Sequence, residues 1–209
     1  MRTHSSIAPE MLAGEYLFRR YDATVADYDR AADEDTRLEL IDGILIMHSP
    51  ANVRHEDLFA FMLVLLRGYA QATDTGRAFG SRTPLHLSDD RRVEPDLLFI
   101  LNENLGRLGD VALTGPADVV IEILSPATRG YDLVEKRSLY ADAGVPEYWI
   151  IDPAESRFLV DRPAGKQVAE LSEGCYTSEV LKAFRLNVDW LWQDPLPDSQ
   201  TCLAQIVKG

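Results

Sequence analysis

The sequence predicts one α/β domain with a mixed central β-sheet flanked by helices. Three observations carry that expectation. Short apolar runs of strand length recur along the chain, several rich in Val and Ile. Two longer stretches, residues 52–72 and 131–143, have apolar residues at helical spacing. The most apolar run, residues 117–124, has no polar alternation, as a strand buried on both faces requires.

Taken in order, residues 1–20 carry little pattern and read as an N-terminal extension, loose in part. Residues 24–35 suit a short exposed helix, with Tyr21, Val25 and Tyr28 at helical spacing. Leu38-Glu39-Leu40-Ile41 and Ile44-Leu45-Ile46-Met47 flank Asp42-Gly43, a two-residue hairpin turn. Ser49-Pro50 opens the helix at 52–72, whose apolar face holds Leu58, Phe59, Met62, Leu65, Leu66 and Tyr69 and which Gly76 helps to end. Residues 79–87 give one or two short strands. Residues 92–100 form a strand entered through Pro95, which removes a ladder donor and sets Asp96 near the strand start. Residues 101–115 read as loop and 117–124 as the central strand, stopped by Ser125-Pro126. The 131–143 helix ends at Gly144. Residues 145–152 and 158–162 pair as strands, 167–171 add an edge strand, and 187–191 form a small terminal helix. The domain is expected over residues 21–192, with 193–209 as a C-terminal tail.

The chain has 209 residues, enough for a sizeable core, and is 46% apolar. No apolar run approaches the ~20 residues of a membrane span. Residues 1–6 lack the apolar region of a signal peptide, and Cys175 and Cys202 fit no metal-ligand spacing. These features predict a cytoplasmic protein with reduced thiols and no membrane partner. The net charge of −13 argues against a general nucleic-acid binder, which needs a basic footprint. It leaves a nuclease open, because some acids can be metal ligands.

Asp96 and Glu122 each interrupt an apolar run, and burying an unpaired carboxylate costs several kcal/mol. If their strands are neighbours, both can meet at one end of the sheet and hold Mg²⁺, or Mn²⁺, hard ions that take oxygen ligands. Such an ion would lower the pKa of a bound water and offset charge on a phosphate. On the 131–143 helix, Leu133, Lys136, Tyr140 and Ala143 share a face that should rest on the sheet. Lys136 must snorkel to water or reach a carboxylate, and the acids on the preceding strands favour the second. It could then orient water or stabilise charge on the phosphate. Glu39 is an outward strand residue or a further acid of the site. His55 reads as a surface or capping residue. Arg129, Lys136 and Arg137 bring positive charge suited to phosphate, though equally common on any helix surface. Tyr148-Trp149 is most simply core packing.

Several ordered motifs resemble the Uma-two family, a bacterial group of restriction-endonuclease-like proteins. They are Arg-Leu-Glu-Leu-Ile-Asp-Gly (37–43), Val-Glu-Pro-Asp (93–96), Val-Ile-Glu-Ile-Leu-Ser-Pro-Ala-Thr (120–128) and 131–153 with Glu135-Lys136, Tyr140 and Gly144-Val145-Pro146-Glu147-Tyr148-Trp149. The resemblance spans residues 21–191 and implies the PD-(D/E)xK nuclease fold, a restriction-endonuclease-like core. It matches Asp96 and Glu122 to the two motif acids, which would bind metal and act in catalysis. It matches Glu39 to an acid from an earlier element and His55 to a recurrent histidine, with Tyr140 a further accessory residue. Leu124 stands where the motif has lysine, so the resemblance moves that role to Lys136. It implies a Mg²⁺-dependent endonuclease acting on DNA. A homodimer is expected from how such nucleases cut two strands and from Trp190-Leu191-Trp192. The competing reading is a catalytically silent dimeric scaffold that binds a partner, and a weaker one is hydrolysis of another phosphate ester.

Overall fold

A computed structural model describes residues 18–32, 36–48, 52–80, 82–126 and 128–208. The expected extension before residue 18 and the Ser49-Pro50 helix opening lie outside the described residues. Strand β1 (Phe18–Arg20) and helix α1 (Val25–Ala31) come first, α1 being capped by Thr24, which accepts from Asp27 N–H. The hairpin follows as expected, β2 (Leu38–Ile41) against β3 (Ile44–Met47). Asp42 (φ 49°) and Gly43 (φ 83°) both adopt the left-handed conformation its two-residue turn needs.

Helix α2 (Val53–Thr73) is capped by Asn52, whose side chain accepts from His55 N–H. Its C-cap is Asp74 at φ 51°, not Gly76. Gly76 instead opens β4 (Gly76–Gly80), where an added Cβ would lie 2.2 Å from the Ile100 carbonyl oxygen. Then come β5 (Leu85–Ser88), β6 (Arg91–Val93) and β7 (Leu97–Leu101). The single strand expected over 92–100 is therefore two strands broken at Glu94-Pro95-Asp96. Proline has no amide hydrogen to continue a ladder, and here the chain leaves one sheet for another. The 101–115 loop holds a 3₁₀ helix and β8 (Leu113–Thr114), and β9 (Val119–Ile123) follows.

A π-helical turn, Tyr131–Lys136, runs into α3 (Arg137–Asp142). Next are β10 (Glu147–Asp152), β11 (Arg157–Arg162) and β12 (Lys166–Leu171), then the small pair β13 (Cys175–Thr177) and β14 (Arg185–Asn187). A 3₁₀ turn at Val188–Trp192 is followed by α4 (Ser199–Lys208). The stretch read as a tail thus carries a helix whose Cys202 and Ile206 lie in the same apolar cluster as α2.

The mixed α/β architecture is as predicted, but it holds two six-stranded sheets rather than one. The first runs β1-β3-β2-β6-β5-β8 and the second β12-β11-β10-β9-β7-β4. In the second, β9 and β10 are parallel and the other pairs antiparallel. Strand β9 lies inside the sheet, as its largely apolar character implied. Side chains alternate across this sheet. Leu97, Phe99, Val119, Ile121 and Trp149 join α2 and α4 on one face. Leu98, Ile100, Val120, Tyr148 and Ile150 join α3 and the first sheet on the other. The break at 94–96 lies between the two sheets.

Gly76→Ala should cost at least about 2 kcal/mol in urea unfolding, because its Cβ would strike backbone rather than a flexible side chain. Gly106→Ala, where an added Cβ meets nothing within 4 Å, should change stability by less than about 0.5 kcal/mol.

Candidate active site

Strand register brings two acids together. Leu97 stands opposite Ile121 in the antiparallel β7–β9 pair, so the next position outward sets Asp96 against Glu122. Asp96 N–H donates to Glu122 Oε2 at 3.3 Å, and Ile123 N–H donates to Asp96 Oδ2 at 2.8 Å. Both side chains are buried. From the start of α2, His55 Nε2 reaches Asp96 Oδ2 at 3.0 Å.

Winding of the next helix supplies the cation. An α-helix brings residues four apart onto one face, which aligns Asp132, Lys136 and Tyr140. The wider π turn also brings Tyr131 and Lys136, five apart, to a shared neighbour. Lys136 has no exposed side-chain surface. Its Nζ lies 2.6 Å from Glu122 Oε1, 3.1 Å from Glu39 Oε1 and 3.6 Å from Asp132 Oδ1. Tyr140 OH donates to the same Glu122 Oε1 at 3.0 Å.

The hairpin closes the site. Glu39 Oε1 accepts from Glu94 N–H at 2.9 Å, and Glu39 Oε2 accepts from Tyr131 OH at 2.5 Å and meets His48 Nε2 at 2.8 Å. Two residues back on the same strand face, Arg37 Nη1 lies 2.9 Å from Asp96 Oδ1 and Nη2 3.7 Å from Glu122 Oε2. Arg37 Nη2 also donates to the Glu94 carbonyl at 2.6 Å.

These neighbours set the charge states. Burial would raise Asp96, but Arg37, His55 and the Ile123 N–H outweigh it and hold its carboxyl well below the usual range. Burial likewise opposes the charged form of Glu39, yet Lys136, His48 and Arg37 keep it low. Burial pushes Glu122 up to about 8 and Asp132 up to about 6, with Lys136 pulling both the other way. Burial would lower Lys136, but Glu122, Glu39 and Asp132 raise it above its ordinary value, so it stays charged. Four carboxyls therefore face two permanent cations, and the surplus negative charge is held down by proton uptake.

All six residues expected at the site, Asp96, Glu122, Lys136, Glu39, His55 and Tyr140, meet in this one cluster. Glu39 points inward, and His55 contacts Asp96 as well as helping cap α2. Arg129 and Arg137 do not join it. They donate to Asp152 at 2.6 Å and to Asp161 on β11. Trp149 is core, as expected. Arg37, His48, Tyr131 and Asp132 were missed. The period-two pattern from Glu39 to Arg37 could have found the arginine. No sequence pattern announces the π turn that sets Tyr131 beside Lys136.

A family model described as "Uma2: Putative restriction endonuclease" matches residues 25–189. The chain is a member of the Uma2 family. This Uma2 chain also resembles a solved structure from Anabaena variabilis, described as a putative nuclease belonging to DUF820. The TM-score is 0.70 at 19% identity, covering 81% of this chain and 97% of the other, which shows a shared fold. No curated protein matches the chain.

In the Uma2 chain no three His, Cys, Asp or Glu side chains among the described residues form a ready cage for a metal ion. The donors still suit a hard divalent cation. Asp96 Oδ1 is buried without a hydrogen-bond partner, and both it and Glu122 Oε2 face the Arg37 guanidinium. Mg²⁺ uses one or two carboxylates and keeps several waters, so a full protein cage is not required.

His48 gives this cluster an acid limit. Burial pushes its imidazole from 6.5 down to about 4, against the pull of Glu39. Its Nδ1 is buried with no hydrogen-bond partner among the described residues, so a proton there would have no acceptor. The unfolded chain takes up that proton near 6.5 and the folded chain only near 4. The stability due to neutral His48 is complete above pH 6.5 and is lost as pH falls toward 4. Urea unfolding across this window should show wild type losing up to about 3 kcal/mol relative to His48→Gln.

Proposed function

We propose that this chain is an endodeoxyribonuclease that uses a divalent cation, Mg²⁺ or Mn²⁺, to hydrolyse DNA phosphodiester bonds. One observation carries the reading. Glu122 joins both halves of the machinery, with Lys136 Nζ 2.6 Å from one oxygen and Asp96 N–H 3.3 Å from the other. Membership of a family described as restriction endonucleases supports it.

Asp96 and Glu122 would hold the cation. When bound, the cation supplies a Lewis acid that lowers the pKa of water and screens charge on the phosphate. His55 Nε2 and the Ile123 N–H fix the Asp96 carboxylate, so its free oxygen has one direction. Lys136 and Tyr140 fix Glu122 in the same way. Lys136 also places a permanent positive charge beside the pair, which stabilises negative charge developing on a phosphate at this cluster. Glu39 orients that ammonium and takes no direct part. Two such sites, as in a homodimer, would serve the two strands of a duplex.

A catalytically silent scaffold remains the second reading, favoured by the net charge of −13. Two measurements separate them. Wild type should bind Mn²⁺ in calorimetry and cleave DNA. Asp96→Asn should keep the Ile123 hydrogen bond and the fold, by circular dichroism, while cleavage falls at least about a hundredfold. Wild type inert on every DNA form tested with Mg²⁺ and Mn²⁺, and silent in calorimetry, selects the scaffold.

A further inference from the structure

The position between the two acids already holds a positive group. Arg37 Nη1 lies 2.9 Å from Asp96 Oδ1, and Nη2 lies 3.7 Å from Glu122 Oε2 and 2.6 Å from the Glu94 carbonyl oxygen. Two carboxylate oxygens and a main-chain carbonyl are the ligand types a hard divalent cation takes. The fit of the guanidinium is incomplete. Its contact with Asp96 Oδ1 is ionic rather than an aligned hydrogen bond, and Arg37 Nε is buried without a hydrogen-bond partner among the described residues. Its side chain is 22% exposed, whereas those of Asp96, Glu122 and Lys136 are at most 3% exposed. Guanidinium is charged at every pH the fold survives, so it can vacate the position only by moving. It has an open side toward which to move.

We propose that Arg37 is the built-in counter-ion of the Asp96–Glu122 pair, competing with a divalent cation for the position between the two acids and swinging toward solvent when that cation binds. This rests on the cation-dependent reading above and adds a residue to it. The two cations compete for the same oxygens. The wild-type affinity for metal is therefore reduced by the fraction of molecules in which Arg37 has left. Arg37 is then a positioning residue: it keeps the two carboxylates together before the metal arrives.

The test is Mn²⁺ calorimetry without DNA on wild type and Arg37→Gln, with nuclear magnetic resonance of ¹⁵N-arginine-labelled wild type as a check that needs no variant. Arg37→Gln should bind Mn²⁺ at least about tenfold more tightly. In wild type the Arg37 Nε–H should exchange slowly without metal and rapidly at saturating Mg²⁺. Removing a charge nearby could also tighten binding, but would not move the wild-type resonance. Metal binding by wild type with equal or weaker affinity in Arg37→Gln, or an Arg37 resonance unmoved at saturation, overturns the inference and leaves the nuclease reading standing. Failure of both proteins to bind Mn²⁺ and of wild type to cut DNA overturns both.

Discussion

A lysine ammonium sealed from water ties three separate parts of the chain together. Lys136 reaches Glu39 on the hairpin, Glu122 on the central strand and Asp132 on its own helix. Burying such a group costs several kcal/mol, and only close carboxylates with further hydrogen bonds offset the cost. Two of the three have them: Glu39 from Tyr131 and the Glu94 N–H, Glu122 from Tyr140 and the Asp96 N–H. Replacing the whole set, lysine and carboxylates together, by apolar side chains of similar volume would cost little stability or none, whereas removing the lysine alone would leave buried charge unpaired. Packing alone therefore gives no reason for the buried ionic set, and the proposed chemistry at Glu122 would supply one.

The same interaction explains the break in the fold at 94–96. One continuous strand there would keep Asp96 in a single sheet with its neighbours. Pro95 interrupts the ladder, and the flanking backbone groups turn to the site instead. The Glu94 N–H serves Glu39 and its carbonyl serves Arg37, while the Asp96 N–H serves Glu122. Backbone that a sheet would have used for its own ladder is spent on fixing charged side chains.

Much of this was legible in the residues. Asp96 and Glu122 stood out because each breaks an apolar run, and a two-residue side-chain period makes their meeting a matter of register alone. Lys136 was legible as a charge on an otherwise apolar helix face. His48 was not, because it lies just outside a strand and looks like ordinary hairpin flank, and Arg37, one residue before its strand, could be reached only by carrying the two-residue period past the strand end. They pair across the open end of the hairpin, where the His48 N–H donates to the Arg37 carbonyl. The second sheet was hidden for a related reason: strand-length apolar runs show that strands exist but not which sheet they join. Asp74 took the C-cap from the expected glycine because aspartate tolerates the left-handed conformation, and the glycine was needed two residues on for close backbone approach.

The net charge looks hostile to DNA, yet its distribution matters more than its sum. Arginines away from the cluster are already committed: Arg129 and Arg157 share Asp152, and Arg137 holds Asp161. At the site the balance is different. Glu39, Asp96, Glu122 and Asp132 face Lys136 and Arg37, so four carboxyls stand against two permanent cations. The burial of the two resident cations also differs. Lys136 is enclosed behind Glu122, and Arg37 stands at the side open to water. Under the proposed function an anionic substrate would approach past the guanidinium, with the ammonium behind the acids.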